Sequence, residues 1–231
     1  MTNTWPKVDG DLRTLVERDV IDGDEVMKNW FADIDADVFL SHSHADEAMA
    51  VGVAGFLRQT FGLRPFVDSL VWKNSAELLR QFDDKHCRSN AGNTYDYDRR
   101  NYSTSHVHMM LAASLTAAID SCECIIFLNT PSSIQVADAS SAVDTTASPW
   151  IYHELNTSRV IRQRPTGRLE TLNQAIESRV VASGRPSLPR VTYGAPLAHL
   201  APLGLADLTR WGREWSTGHA LDALYRQHAE P

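Results

Sequence analysis

Hydrophobic and polar positions follow two alternating patterns along the chain. Short apolar runs that end in small polar residues occur at 36–42 (ADVFLSH), 64–68 (RPFVD) and 122–131 (CECIIFLNTP). A weaker run of the same kind occurs at 190–196 (RVTYGAP). Such runs are typical of strands that are buried in a parallel sheet. The pattern therefore predicts four strands.

Stretches with apolar residues at helical spacing separate these runs. Met49, Val53 and Leu57 form an apolar stripe, which predicts a helix that Asp46 caps and Gly62 ends. Further helices are predicted over 106–120 (HVHMMLAASLTAAID), from Ser148 to near Arg164, and over 220–227 (ALDALYRQ).

Strands that alternate with helices predict an α/β fold with a doubly wound parallel sheet. Ligands of such sheets bind at the carboxyl ends of the strands, near the point where strand order reverses. In a flavodoxin-like order this point lies between strands one and three, whose following loops are SHSHAD and NTPSS. We expect a helical lead-in over 1–35 and one domain over 36–231, with an insert at 69–105 and a C-terminal addition at 165–231.

The insert at 69–105 is too long for an ordinary loop between a strand and a helix. Its SAELLRQFDDK segment predicts a short helix, whereas NTYDYDRRNYSTSH is polar, aromatic and charged. The insert is either a lid at the ligand edge or a disordered segment, and its three tyrosines favour order.

Composition narrows the class of protein. The 231 residues are 43% hydrophobic, so a sizeable core is available, and the net charge of −7 argues against nucleic acid as the main partner. Three cysteines without a CxxC pair indicate a reducing compartment. The N-terminus lacks an apolar signal core, and no apolar run approaches the ~20 residues of a membrane span. We expect a cytoplasmic protein with neither nucleic acid nor membrane as a partner.

A lone carboxylate, Glu154, stands in the segment SPWIYHEL. Ser148 and Pro149 suit the N-cap and the first helical position, which puts Trp150 and Glu154 on one helix face. A capping box would place the acid at Ile151 instead, and no basic residue follows at ion-pair spacing. Glu154 is therefore a candidate functional residue, and a solvated helix position is the alternative.

Four segments, in order, resemble the TIR (Toll/interleukin-1 receptor) domain over about residues 36–164. They are ADVFLSHSHADEAMAVGVAGFL, GLRPFVDSLVW, IIFLNTPSSI and SPWIYHEL. The chain is most similar to bacterial TIR proteins of the kind that supplies the signal in Thoeris-like anti-phage defence. It departs from that pattern in the insert at 69–105 and in a longer C-terminal part.

The resemblance implies an enzyme whose catalytic residue is Glu154 and whose substrate is NAD⁺, cleaved at the nicotinamide–ribose bond. Products would be ADP-ribose, a cyclised isomer or an adduct, and neither a further cofactor nor a metal is expected. Self-association or a trigger would activate the enzyme, and a downstream effector would sense the signal. The candidate substrate-binding residues are Phe39, Ser41, His42, Ser43, Asp68, Trp72, Tyr102, His106 and Trp150.

Several of these residues also have structural interpretations. The SHSH residues would equally end a strand and lead into a helix cap, Asp68 would cap a turn, and Trp72 and Trp150 would pack in the core. The residues that could donate to a metal ion are His42, His44, His106, His108 and Cys87. Their spacing does not match that of zinc sites, so no metal site is predicted.

Three classes of function stay open. The first is the NAD⁺-cleaving enzyme, the second a non-catalytic TIR interaction module, and the third a nucleoside-processing transferase on a similar fold. Glu154 beside Trp150, together with a polar aromatic insert, favours the enzyme, because an adaptor needs none of these features.

Overall fold

The computed structural model describes residues 21–30, 34–67, 69–89, 94–137, 143–161 and 192–229, with the backbone alone at 29–30 and 70–75. Asp68 and residues 165–190, the first part of the predicted C-terminal addition, fall outside this range, as does most of the predicted lead-in. The chain divides into two compact units. One comprises Met1–Asp35 and Val67–Ser121, and the other comprises Ala36–Phe66 and Cys122–Pro231.

A three-stranded sheet confirms the first three predicted strands and the mixed α/β class. Strands β1 (Val38–Ser41), β2 (Pro65–Val67) and β3 (Cys124–Phe127) lie in the order β2-β1-β3. β1 and β3 run parallel, with register pairs from Val38↔Cys124 to Ser41↔Phe127. All four residues of β1 are buried, as its apolar run predicts for a central strand.

The helix after β1 begins and ends close to the predicted positions. It follows a 3-10 turn (His44–Asp46) and runs over Glu47–Phe61, which we label α2 because a short helix precedes it in the chain. Gly62 ends it in the left-handed conformation with φ of 67°, which glycine adopts without steric cost. The predicted stripe is wrong at Met49, which is 52% exposed, because the buried face runs through Ala50, Ala54, Leu57 and Phe61.

Helix α5 (Pro149–Val160) starts as the sequence predicts. The Ser148 hydroxyl accepts a hydrogen bond from the Ile151 N–H at 3.2 Å, and Pro149 takes the first helical position. The predicted end near Arg164 is wrong, because Ile161 is already extended. Ile151 and Leu155 pack with Ile134 in a buried cluster, which fixes the rotation of the helix.

The predicted fourth strand at 190–196 is wrong as a member of the parallel sheet. A two-residue strand β5 (Tyr193–Gly194) pairs antiparallel with β4 (Thr145–Thr146) in a separate two-stranded sheet. Ala195 still donates its N–H to the Asp144 carbonyl at 2.9 Å, and Pro196, the next residue, has no N–H with which to extend the ladder.

Two helices close the described chain. Helix α7 (Ala220–Ala229) confirms the predicted closing helix, whereas α6 (Leu205–Glu214) was not predicted. Trp211 of α6 stacks on Phe61 of α2, with ring centroids 3.9 Å apart, and its indole N–H donates to the Ala220 carbonyl at 2.8 Å. These contacts attach the C-terminal helices to the sheet-bearing unit.

The other unit is helical in its described part, and it corrects the prediction for the insert. Helix α1 (Gly23–Trp30) lies in the predicted helical lead-in. Helix α3 (Ser69–His86) contains the helix predicted for SAELLRQFDDK, and α4 (Tyr97–Ser121) contains the helix predicted over 106–120 and extends it into the expected polar loop. Their buried core consists of Val26, Leu78, Phe82 and Val107. Segment 97–105, predicted as part of a lid or a disordered insert, is the first part of α4.

Polar side chains join α3 to α4. Buried Asp83 accepts hydrogen bonds from the Ser103 hydroxyl at 2.8 Å and from Arg100 Nε at 2.9 Å. On α3, Arg80 forms ion pairs with Glu77 and Asp84 at spacings of three and four residues. The polar composition of the segment therefore reflects solvated helix faces rather than a loop. No helix among the described residues is both long and apolar enough to cross a bilayer.

Candidate functional site

The sheet-bearing unit brings Glu154 and Ser41 into direct contact. The Ser41 hydroxyl at the carboxyl end of β1 donates a hydrogen bond to Glu154 Oε2 at 2.5 Å. Glu154 is 3% exposed and Ser41 is 1% exposed. The interpretation of Glu154 as a solvated helix residue is therefore wrong, and the carboxylate lies at the edge where ligands of parallel sheets bind.

The two residues after Ser41 connect β1 to the 3-10 turn. His42 is buried, and its Nδ1 lies 3.4 Å from the Leu40 carbonyl oxygen, a separation that a donated hydrogen bond would span only weakly. Ser43 is the N-cap of the 3-10 turn, where its hydroxyl accepts a hydrogen bond from the Ala45 N–H at 3.2 Å. Ser43 thus has the structural role that the sequence allowed for it.

A second hydrogen bond joins the loops that follow β1 and β3. The Thr130 hydroxyl donates to Asp46 Oδ2 at 2.5 Å, and Thr130 Oγ1 also lies 3.0 Å from Ser133 Oγ. Asp46 stands at the N-cap of α2 but makes no side-chain cap there. Neither Asp46 nor Thr130 was predicted as a site residue, although the loops SHSHAD and NTPSS were expected to meet at this edge.

The two aromatic candidates of this unit lie in different environments. Phe39 is fully buried in β1, and its ring packs on Phe66 of β2 with centroids 5.6 Å apart. It lies on the same strand face as Ser41, two residues away, and so supports the strand from within the core. Trp150 is half-buried in the first turn of α5, one turn before Glu154.

The remaining candidates belong to the helical unit or lie outside the described residues. Asp68 is outside them, and Trp72 is on α3 where only the backbone is described. Tyr102 and His106 are exposed on α4, with ring centroids 4.4 Å apart. Tyr102 and His106 therefore contact each other, at the spacing of one helical turn.

The opposite end of β3 carries other titratable groups. Burial raises the pKa of the Cys124 thiol to about 12, and the charge of Glu123 adds to this effect, so Cys124 is a neutral residue rather than a nucleophile. Glu123, His219 and Asp222 each offer one donor atom within 4.8 Å of the others, but Glu123 is exposed. This group was not predicted, because residues 123 and 219 meet only in the folded chain.

Comparison with known proteins provides no family assignment. No protein-family model, curated protein or solved structure matches the chain. Within the described sheet-bearing unit, the site thus consists of a buried serine–glutamate pair at the carboxyl edge of a parallel sheet, two loops joined by Asp46 and Thr130, and a tryptophan one turn before the glutamate.

Proposed function

We propose that the protein is a TIR-type NAD⁺ glycohydrolase or cyclase that cleaves the nicotinamide–ribose bond and produces a nucleotide signal in Thoeris-like anti-phage defence. The observation that carries the proposal is the burial of Glu154, hydrogen-bonded to Ser41, at the carboxyl edge of the parallel sheet. The sheet order β2-β1-β3 supports a flavodoxin-like, TIR-type fold.

One carboxylate is enough for this reaction. Ordinary glycosidases need two acids, because one must protonate the leaving oxygen while the other assists the attack. Nicotinamide leaves NAD⁺ as a neutral molecule, so no general acid is needed. The ribose carbon develops positive charge as the bond breaks, and a fixed carboxylate at Glu154 stabilises that charge.

The aromatic and polar neighbours of Glu154 have secondary parts in the proposal. Trp150, one turn earlier on α5, offers a flat surface against which a ring can pack. The loops joined by Asp46 and Thr130 form the rim of the same edge. NAD⁺ acts as a substrate here, and the proposed reaction needs no resident cofactor.

A second candidate is the non-catalytic TIR interaction module. Its supporting observation is also the burial of Glu154, because a carboxylate with 3% exposure that accepts a serine hydroxyl can be purely structural. The two candidates differ in whether removing the charge changes chemistry or only stability.

The deciding experiment incubates the purified protein with NAD⁺ and identifies products by mass spectrometry. Glu154→Gln should lower turnover at least about 100-fold while circular dichroism stays unchanged. Glu214→Gln, at an exposed position of α6, is the matched control and should retain full activity. A Glu154→Gln variant with wild-type turnover would contradict the catalytic role, and a wild type that is silent at every concentration and on a surface would favour the interaction module.

A further inference from the structure

Two regular elements hold the two ends of the Ser41–Glu154 hydrogen bond. The Ser41 carbonyl accepts a hydrogen bond from the Leu128 N–H at 2.9 Å, and Ser41 pairs with Phe127 in the β1–β3 register. Its hydroxyl therefore projects from a backbone that the neighbouring strand fixes. Glu154 in turn projects from α5, whose rotation Ile151 and Leu155 fix in the core.

A donated hydrogen bond favours the ionised form of a buried carboxyl group. Desolvation disfavours the charged form of an acid, whereas a hydrogen bond donated to the carboxylate favours it. The Ser41 Oγ lies 2.5 Å from Glu154 Oε2, and a hydrogen bond from a hydroxyl to an ionised carboxylate is stronger than one between neutral groups. The hydrogen bond also restricts the orientation of the carboxylate, because Oε2 has to point towards the Ser41 hydroxyl.

We infer that Ser41 is a positioning residue, whose hydroxyl favours the ionised form of Glu154 and holds its carboxyl group in one orientation. The effect of Ser41 on turnover rests on the proposed function, whereas its effect on the charge and orientation of the Glu154 carboxylate does not. Ser41 acts through Glu154 and has no bond-breaking role of its own. The role requires a hydrogen-bond donor on the central strand that faces Glu154, and the Ser41 hydroxyl is that donor.

Other charged and titratable groups lie near Ser41 and Glu154 in sequence. Their charges also act on Glu154, so the variants used in the test leave these residues unchanged. His42 follows Ser41 on the β1 side, and Asp46 lies in the loop beyond it. On α5, His153 precedes Glu154, and Arg159 lies in the last turn. On β3, Cys124 stands at the far end, with its thiol neutral.

The experiment compares Ser41→Ala, Ser41→Thr and the control Ser121→Ala, which removes a hydroxyl at the end of α4 that donates to the Ala118 carbonyl at 2.8 Å. With NAD⁺ as substrate, Ser41→Ala should lower kcat about 10- to 100-fold with little change in KM, because misplacing the catalytic group affects the transition state more than binding. Ser41→Thr retains the hydroxyl and should restore most of the loss, and Ser121→Ala should match the wild type.

A second readout does not depend on activity. Protein labelled with ¹³C at glutamate side-chain carboxyls gives a Glu154 signal, assigned by its loss in Glu154→Gln, whose titration midpoint can be followed against pH. The midpoint should rise in Ser41→Ala, return towards wild type in Ser41→Thr and stay unchanged in Ser121→Ala. If Ser41→Ala does not fold, Ser41→Cys takes its place, since its slightly larger side chain leaves no cavity and carries only a weak donor.

The two readouts separate the two proposals. An unchanged Glu154 midpoint in Ser41→Ala, or in Ser41→Cys where that replaces it, overturns the inference whatever the activity. A shifted midpoint that threonine restores supports the inference, even in a protein that leaves NAD⁺ intact, and in that case only the proposed function fails.

Discussion

The Ser41 hydroxyl and the Glu154 carboxylate are 113 residues apart in the chain and 2.5 Å apart in the fold. The contact joins the central strand to α5, and both side chains are buried. The hydrogen bond is therefore a tertiary contact that connects two elements of the fold, and it is also the centre of the proposed site.

Removing the carboxylate should thus cost stability as well as activity. Glu154→Ala leaves the Ser41 hydroxyl without its acceptor and opens a cavity, so the free energy of unfolding should fall by about 1–3 kcal/mol. Glu154→Gln should lose less, because its amide oxygen can accept the same hydrogen bond. Urea unfolding of both variants against the wild type measures the difference, and a Glu154→Ala variant as stable as the wild type would show that the contact contributes nothing.

The features predicted correctly are mostly those that local sequence determines. Ser148 and Pro149 start α5, Gly62 ends α2, and the apolar run of β1 forms a buried central strand. Each depends on a few consecutive residues, whose capping or hydrophobic pattern acts without help from distant parts of the chain. The candidate Glu154 also came from such local reasoning, because the segment around it lacked an ordinary ion-pair partner.

The wrong or missing predictions concern features that depend on contacts between residues distant in sequence. The polar residues at 97–105 suggested a loop, yet they form the solvated first part of a helix that Asp83 holds from the neighbouring helix. The contact between Glu154 and Ser41 was expected only as a shared sheet edge, since no local pattern relates two residues so distant in sequence. The hydrogen bond between Asp46 and Thr130 was missed for the same reason.

Trp211 should be a major contributor to the stability of the sheet-bearing unit. It is 1% exposed, stacks on Phe61 and donates its indole N–H to the Ala220 carbonyl. Trp211→Ala should therefore lower the free energy of unfolding by about 3–5 kcal/mol. Trp215→Ala is the control, because Trp215 meets Phe61 only edge-on at 5.6 Å and is half-buried. Equal losses in the two variants, measured by chemical denaturation, would contradict the special role of the stacked ring.

The ion pair of Asp37 with Arg64 should make stability depend on acidic pH. Arg64 donates to Asp37 through its backbone N–H at 2.7 Å, through Nε at 3.1 Å and through a terminal nitrogen at 2.7 Å. Partial burial raises the pKa of Asp37, but the hydrogen bonds and charge of Arg64 outweigh it, so the pKa lies below the ordinary value of 3.8.

The direction in which stability changes with pH follows from proton binding at Asp37. Because the unfolded chain binds a proton at Asp37 more readily than the folded chain, the pair stabilises the fold above pH 3.8, and this contribution disappears as pH falls through the lowered pKa. Asp37→Asn should cost about 1 kcal/mol at pH 7, a modest value because the Arg64 side chain is 47% exposed. Denaturation at pH 7 and pH 2.5 should show the difference from wild type shrinking at the lower pH. In an Arg64→Ala background, Asp37→Asn should cost less at pH 7, and a pH-independent difference for Asp37→Asn in the wild-type background would contradict the ion-pair account.

Under the proposed function, the protein should be weak alone and gain activity on assembly or on binding a trigger. Glu154 is 3% exposed, so NAD⁺ can reach its carboxylate only after the surrounding residues rearrange. The conformation that admits NAD⁺ is then a minor state, and apparent activity scales with its population. An interface between chains that stabilises the open state would raise that population, and constant cleavage of a cofactor that the whole cell needs would be avoided.

The measurement is specific NAD⁺ cleavage over a wide range of protein concentration, in solution and with the chains tethered to a surface. Under control by assembly, activity per molecule should rise with concentration and on tethering. Under control by a trigger alone, it should stay low and flat until that ligand is added. Glu154→Gln supplies the background at each concentration. Full activity of a dilute monomer without any added ligand would contradict both forms of control, because the buried carboxylate would then be accessible without assistance.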